Sequence, residues 1–363
     1  MTVYAAAPKI NTVTSHHCLP FIGAHYGGIF ITGEAMTSRD NLAAYPEHTA
    51  KSYEDLAQRL IDNGLGGVTA DELARHLERI GYFRLKGYWY PFLTPSTNII
   101  GKRSLPFLPS TTFPEVLNRY RFDSELRMLV FEGIVIIENY LKSYISCALS
   151  ADGKEFGFLD NANLPNLSFD QHLHCLKTLR DSFSKSQLPY ILHFRNNYSN
   201  PLPPYWMIVG TMSFGSFKEY FYQGAPKDVK KSLAQRLGIV FPGGEGGNDK
   251  LLSQWLEVIR RVRNMVAHHD RLWNSTDVKI GPELPLHRTG KHSAQWWGNK
   301  WDVLRNDNSH KVGAVLAVEN HILQCINEQS WSTKLHDLML RYPTIPLEEM
   351  GLPEDWDSCP LWR

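Results

Sequence analysis

The sequence predicts an all-α protein, and three observations carry that expectation. In nearly every periodic stretch, apolar residues recur at three- and four-residue steps, the period of a helix with one buried face. Capping chemistry precedes one such stretch at Thr69-Ala70-Asp71-Glu72, where the T-x-x-E spacing satisfies free amides of a first helical turn. Glycine and proline punctuate the chain where the period fails, as at Gly64 and at Pro201-Leu202-Pro203-Pro204.

Taken in order, residues 1–45 show no helical period and read as a flexible tail holding His16-His17-Cys18 and Gly27-Gly28. Met36 offers an alternative translation start, and no charged start followed by an apolar block marks a signal peptide. Residues 46–110 form an N-terminal helical region. One helix is expected from Ser52 to Ile61 through Leu56 and Leu60, and a second from Thr69 through Leu73, Leu77 and Ile80. Gly81 to Phe92, GYFRLKGYWYPF, reads as a packed aromatic turn, with an RNA-stacking platform as its rival.

Residues 111–274 make the core. Thr112 and Pro114 start a helix running to Leu149, with room for a break. On it Asp123 and Arg127 form an i, i+4 pair, solvated or locally bridged, and Glu138 is a candidate partner for Arg263. Shorter helices are expected at Phe169 to Phe183 and Pro189 to Asn196. A further helix, Met207 to Tyr222, is expected to be interrupted by Gly215. His172 and His174 are weak evidence for a metal. Lys227, Lys230 and Lys231 precede Gly243 to Gly247, a loop without the lysine-and-hydroxyl ending of a P-loop and so a linker. Residues 275–363 begin loop-rich, with Pro282, Pro285 and Gly290, and return to helix at Val312 to Glu328 and Ser332 to Leu340. The proline-punctuated end packs on the core.

Composition narrows the function classes. Of 363 residues, 43% are hydrophobic and 21% charged, as in ordinary globular proteins. Lys+Arg number 38 against 37 Asp+Glu, so a nucleic-acid site must be a local patch rather than a global field. The five cysteines (Cys18, Cys147, Cys175, Cys325, Cys359) are scattered without a C-x-x-C pair, which fits a reducing compartment and provides no zinc framework. No apolar run approaches the roughly 18 residues of a membrane span, so the expected location is the cytoplasm.

The most informative stretch is Leu251 to Asn274, LLSQWLEVIRRVRNMVAHHDRLWN. Leu252, Trp255, Leu256, Ile259, Val262 and Val266 define a buried helical face. Arg263 falls beside that face, where an unpaired charge is costly, so it needs a partner or a ligand. His268 lies about one turn beyond Asn264, within reach of it, and His269 returns toward the apolar edge. An arginine, an amide and an imidazole near one helix end can bind and cleave a phosphodiester. The competing reading is a satisfied polar cluster that pins two helices. The bare spacing R-x-x-x-x-H is weak, since Arg305 to His310 also fits it in a polar segment with no apolar face.

In its context, RNMVAHHDRLWN resembles the signature of Abi-like proteins (AbiD/AbiF type), the bacterial abortive-infection family whose core is a HEPN ribonuclease domain. GYFRLKGYWYPF, Tyr120 to Arg127 (YRFDSELR), Pro203 to Gly215 (PPYWMIVGTMSFG) and the closing YPTIPLEEMGLPEDW are similar to blocks of the same family in the same order. The resemblance covers the chain from about residue 50 onward. It implies a HEPN-like helical bundle and metal-independent RNA cleavage, with no cofactor. Arg263 and His268 would be the catalytic pair, assisted by Asn264. With one credible motif per chain, the site would be shared between two copies of a homodimer. The doubled histidine leaves His269 as the rival imidazole, and the family's spacing favours His268. The role implied is that of an abortive-infection toxin, with RNA as substrate and a regulatory non-coding RNA as a second RNA partner. The alternative is a non-catalytic RNA-binding dimer that sequesters RNA or docks a partner.

The chemistry stands on its own terms. RNA carries its nucleophile, the 2′-hydroxyl beside the scissile phosphate, and an imidazole that titrates near neutrality can move its proton or protonate the leaving 5′-oxygen. Guanidinium groups hold the non-bridging oxygens as charge builds. Products would be a 2′,3′-cyclic phosphate and a 5′-hydroxyl. Arg260, Arg261, His269 and Arg271 are the expected contacts to the flanking RNA.

Overall fold

Residues 51–95, 105–241, 246–275, 311–352, 354–358 and 362 are described by the computed structural model, and among them every regular element is helical. Among the described residues, strand-like pairing is limited to isolated bridges, such as Gly66 with Thr112 and Leu93 with Phe107. The expected N-terminal tail, the Arg305 to His310 copy of the motif and the loop containing Pro282, Pro285 and Gly290 lie outside the described residues.

The chain divides into two compact units, Met1–Arg121 and Phe122–Arg363. In the first, α1 (Tyr53–Asp62) and α2 (Ala70–Ile80) pack on each other. Ser52 caps α1 by accepting from the Asp55 amide, and Thr69 caps α2 by accepting from the Glu72 amide. The helical period foretold the buried set Leu56, Leu60, Leu73 and Leu77. The aromatic stretch is not the expected turn. It forms α3 (Tyr82–Trp89) followed by a 3₁₀ turn at Tyr90–Phe92. Gly81, at φ +95°, closes α2 and opens α3 at once, a backbone state that side chains disfavour, so one glycine lets the helix restart in a new direction. Tyr88 and Trp89 are buried, Tyr88 lies edge-on to Tyr120 at 5.4 Å, and the Arg119 guanidinium sits 4.1 Å over the Phe92 ring. Tyr88 and Trp89 serve packing and have no face left for a base, while Phe83 and Tyr90 stay 46% and 43% exposed.

The second unit is organised by α4 (Phe113–Leu149), which begins in the first unit and runs on without a break. Phe122, Leu126, Val130, Ile134, Ile137, Leu141 and Ile145 form one fully buried stripe along it. α5 (Phe169–Lys185) and α6 (Pro189–Asn197) come next, with a reciprocal Ser168–Gln171 cap opening α5. The short α7 (Tyr205–Ile208) leads through a 3₁₀ turn to α8 (Phe214–Ser216), which passes directly into a π-helical turn, Phe217–Tyr222. The expected interruption at Gly215 therefore moves. The helix breaks at Met212-Ser213, where Ser213 leaves helical geometry and caps α8 through the Ser216 amide, and Gly215 stays helical. α9 (Lys227–Arg236), which the periodicity left unassigned, precedes α10 (Asp249–Ala267).

The chain closes with α11 (Val312–Cys325), α12 (Ser330–Arg341) and α13 (Leu347–Met350). α11 is buried on every side from Val312 to Asn320, so it is a core helix rather than an amphipathic one. Its Glu319 carboxyl lies against Gly133 of α4, in the space a Cβ would take. Among the described residues neither Glu319 oxygen has a hydrogen-bond partner, and burial pushes its pKa well above the usual 4.5. Beside it, the Trp331 indole of α12 donates to the Leu129 carbonyl at 2.9 Å.

Candidate functional site

α10 is built as its pattern requires. Asn248 caps it by accepting from the Leu251 amide at 3.1 Å, and Asp249 complements the positive end of the helix dipole. Leu252, Trp255, Leu256, Ile259, Val262 and Val266 are all buried. Arg263 lies beside this face, half-buried, and among the described residues its buried Nε has no hydrogen-bond partner. Glu138, its candidate partner, is instead bound to Lys142, one turn along α4, at 2.7 Å.

The C-terminal end separates the two histidines. The His269 amide donates to the Val266 carbonyl and the Asp270 amide to the Met265 carbonyl, the paired bonds of a Schellman stop. That stop puts its first residue past the cap in the left-handed region, and His269 sits there at φ +59°. His268 is the cap itself and exposed, with its amide bonded to the Asn264 carbonyl at 3.0 Å. The bond between Asn264 and His268 is thus a backbone one. His269 does not return to the apolar edge, because the helix ends before it and the stop turns it into solvent.

The segment just past the histidines is held firmly. Leu272 and Trp273 are fully buried, and both their amides donate to one Asp123 oxygen, at 3.0 and 2.7 Å. The other Asp123 oxygen binds Arg127, one turn along α4. The pair is buried rather than solvated, with side chains 0% and 6% exposed. Asn274 donates to Glu349 at 3.0 Å. So the YRFDSELR block, the signature and the closing EEM block converge where α10 ends.

Upstream on the same helix, Glu257 collects three cations: Lys218 at 2.8 Å, Arg260 at 2.7 Å and Arg261 at 3.0 Å. Arg260 first, then Lys218 and Arg261, hold the Glu257 carboxyl down at about 2. Arg260 and Arg261 are therefore not free surface charges, although each keeps donors beyond those Glu257 uses. The PPYWMIVGTMSFG block borders this cluster. Arg260 Cδ passes 3.9 Å from where a Cβ on Gly215 would stand, and the Met212 carbonyl accepts from Lys142 at 2.6 Å.

Arg263, Asn264 and His268 thus share the last turns of α10 with Arg260 and Arg261, while His269 and Arg271 lie past its end. The sequence reading missed Glu257 and, although it paired Asp123 with Arg127, the bonds Asp123 makes to the signature. Glu257 had a visible signal, since Arg260 and Arg261 stand three and four residues after it. The amide bonds of Asp123 had none, because the amides lie 149 and 150 residues away. His172 is structural: buried, with Nε2 2.8 Å from the Phe158 carbonyl. His174 is exposed, and no group of three or more His, Cys, Asp or Glu side chains is placed to hold a metal among the described residues. Nor does any helix among them have the length and apolarity to cross a membrane.

These features define an all-helical protein whose core helix carries a basic face and ends in a solvent-facing histidine. Residues 75–274, more than half of the chain, match the family model for Abi-like proteins. The chain belongs to the Abi-like protein family, whose name points to abortive-infection defence against phage. No curated protein and no solved structure matches it.

Proposed function

We propose that the protein is a metal-independent RNA endonuclease of the HEPN type, acting as an abortive-infection effector in the cytoplasm and working as a homodimer whose site is completed by a second copy of α10. The observation that carries this reading is the end of α10. There a half-buried arginine with an unpartnered Nε precedes, by five residues, a histidine exposed at the helix cap. Arg263 would hold the scissile phosphate and its developing charge. His268 would move the 2′-hydroxyl proton or protonate the leaving oxygen, and Asn264 would orient the phosphate. His268 would be the acting imidazole and His269, whose backbone forms the helix stop, its rival.

The test is cleavage of a labelled single-stranded RNA pool in EDTA by wild type, Arg263→Ala and His268→Ala. The reading expects cleavage by wild type ending in a 2′,3′-cyclic phosphate, with losses of about 10²-fold or more in both variants. Equal cleavage by all three proteins would sink the assignment of the site. RNA binding without cleavage by any of them would favour the non-catalytic binding dimer.

A further inference from the structure

We propose that Trp206 and Tyr190 form a stacking platform for unpaired bases, which feeds single-stranded rather than duplex RNA to the end of α10. The proposal rests on the reading of this protein as one that acts on RNA, and it names the strand state of the substrate.

Trp206 is out of keeping with its own helix. Tyr205, Ile208 and Val209 around it are buried, while its indole stands 55% exposed. One turn further on, Gly210 is exposed on the same side, and the Tyr190 hydroxyl of α6 occupies the space its Cβ would fill. Any side chain at 210 would push the Tyr190 ring away. Tyr190 itself is 41% exposed. Two large planar rings with polar tips thus stay exposed, Tyr190 over Gly210 and Trp206 four residues before that glycine, where burying them would have been the more stabilising choice for the fold alone.

The stretch that leads from the rings toward α10 passes basic side chains. From Gly210 the backbone passes Met212, whose carbonyl binds Lys142, and reaches Gly215 under Arg260. Five residues span at most about 18 Å, so the rings and the basic face of α10 lie within reach of one short strand. Every base has a face to stack when unpaired, whereas duplex RNA hides its faces and offers sugar edges and phosphates. Exposed rings leading to guanidinium groups therefore select unpaired RNA.

The test is fluorescence anisotropy of a labelled unstructured RNA 12-mer and of the same strand annealed to its complement. It uses full-length His268→Ala protein, so that no RNA is cut during titration. The expected result is tighter binding of the single strand. Trp206→Ala in that background weakens it at least about fivefold, while Trp206→Phe recovers most of the loss, since one stacked base contributes on the order of 1–3 kcal/mol. Thermal unfolding of each variant confirms that the fold persists. An affinity unchanged by Trp206→Ala, equal binding of the duplex, or no binding of either RNA overturns the platform. Cleavage by wild type with Trp206-independent binding would defeat the platform and leave the ribonuclease reading intact. Trp206-dependent binding without cleavage would do the reverse.

Discussion

Two buried carboxyl groups in the second unit show how differently the same chemistry is used. Asp123 is fully matched, with Arg127 on one oxygen and the Leu272 and Trp273 amides on the other. Asp123→Ala would leave the Arg127 guanidinium, 6% exposed, without its carboxylate, and would free two buried amides. Removing one member of a buried pair costs about 3–5 kcal/mol. A large drop in the urea midpoint is expected, with a smaller one for Asp123→Asn, which keeps an acceptor; a midpoint unmoved by Asp123→Ala would show that the clamp does not hold the signature in place. Glu319 is the opposite case, buried against Gly133 with unpartnered oxygens and a pKa raised by burial. Above 4.5 the unfolded chain releases this proton while the folded chain keeps it, so unfolding free energy falls as pH rises past that value. Glutamine stays neutral throughout. Glu319→Gln is therefore expected to exceed wild type in stability at about pH 8 and to lose that advantage near pH 5. Equal pH profiles in thermal unfolding would refute the account.

At the scale of the element, the end of α10 gives its two exposed histidines different backbone roles. A Schellman stop requires a left-handed residue after the cap, and for a residue with a Cβ that conformation costs about 1–2 kcal/mol. His269 occupies that position. Replacing it with glycine relieves the strain, so His269→Gly should fold at least as stably as wild type and keep its RNA cleavage, while His268→Ala should lose it. Loss of cleavage in His269→Gly with the fold intact would transfer the catalytic role to His269. The helix itself was legible because its apolar period, its arginines and its histidines all lie close together in sequence. The stop was not, because it depends on backbone bonds that histidine does not announce as glycine does. The same limit explains the aromatic stretch after Gly81. Rings at mixed spacing conceal a helical period, and only the φ of Gly81 shows how α2 and α3 abut. It also explains Met212-Ser213, where a serine cap outweighs the neighbouring glycine. Contacts such as those of Asp123 are set by the fold and have no signature in either segment alone.

At the scale of the whole molecule, charge and copy number bound what the proposed site could do. A chain of net charge +1 cannot draw RNA by its overall field, so any attraction for RNA would have to come from the patch formed by Lys218, Arg260, Arg261 and Arg263. The patch is partly compensated by Glu257, whose carboxyl stays ionised down to about pH 2. One chain therefore presents a single unpartnered Arg263 Nε and a single credible motif, which is little for a transition state that spreads charge over several oxygens. A second copy would bring another arginine and another imidazole to the same phosphate, and symmetric pairing about a twofold axis is the commonest way to bring it. If the site is shared, activity must track the dimer population. Specific activity is expected to stay constant at micromolar protein and to fall in proportion to concentration once dilution passes the dissociation constant. Sedimentation over the same range should show the dimer giving way to monomer at that point. A chain that sediments as a monomer at micromolar concentration, with specific activity unchanged by dilution, would mean that one copy of α10 suffices and that the shared site is wrong.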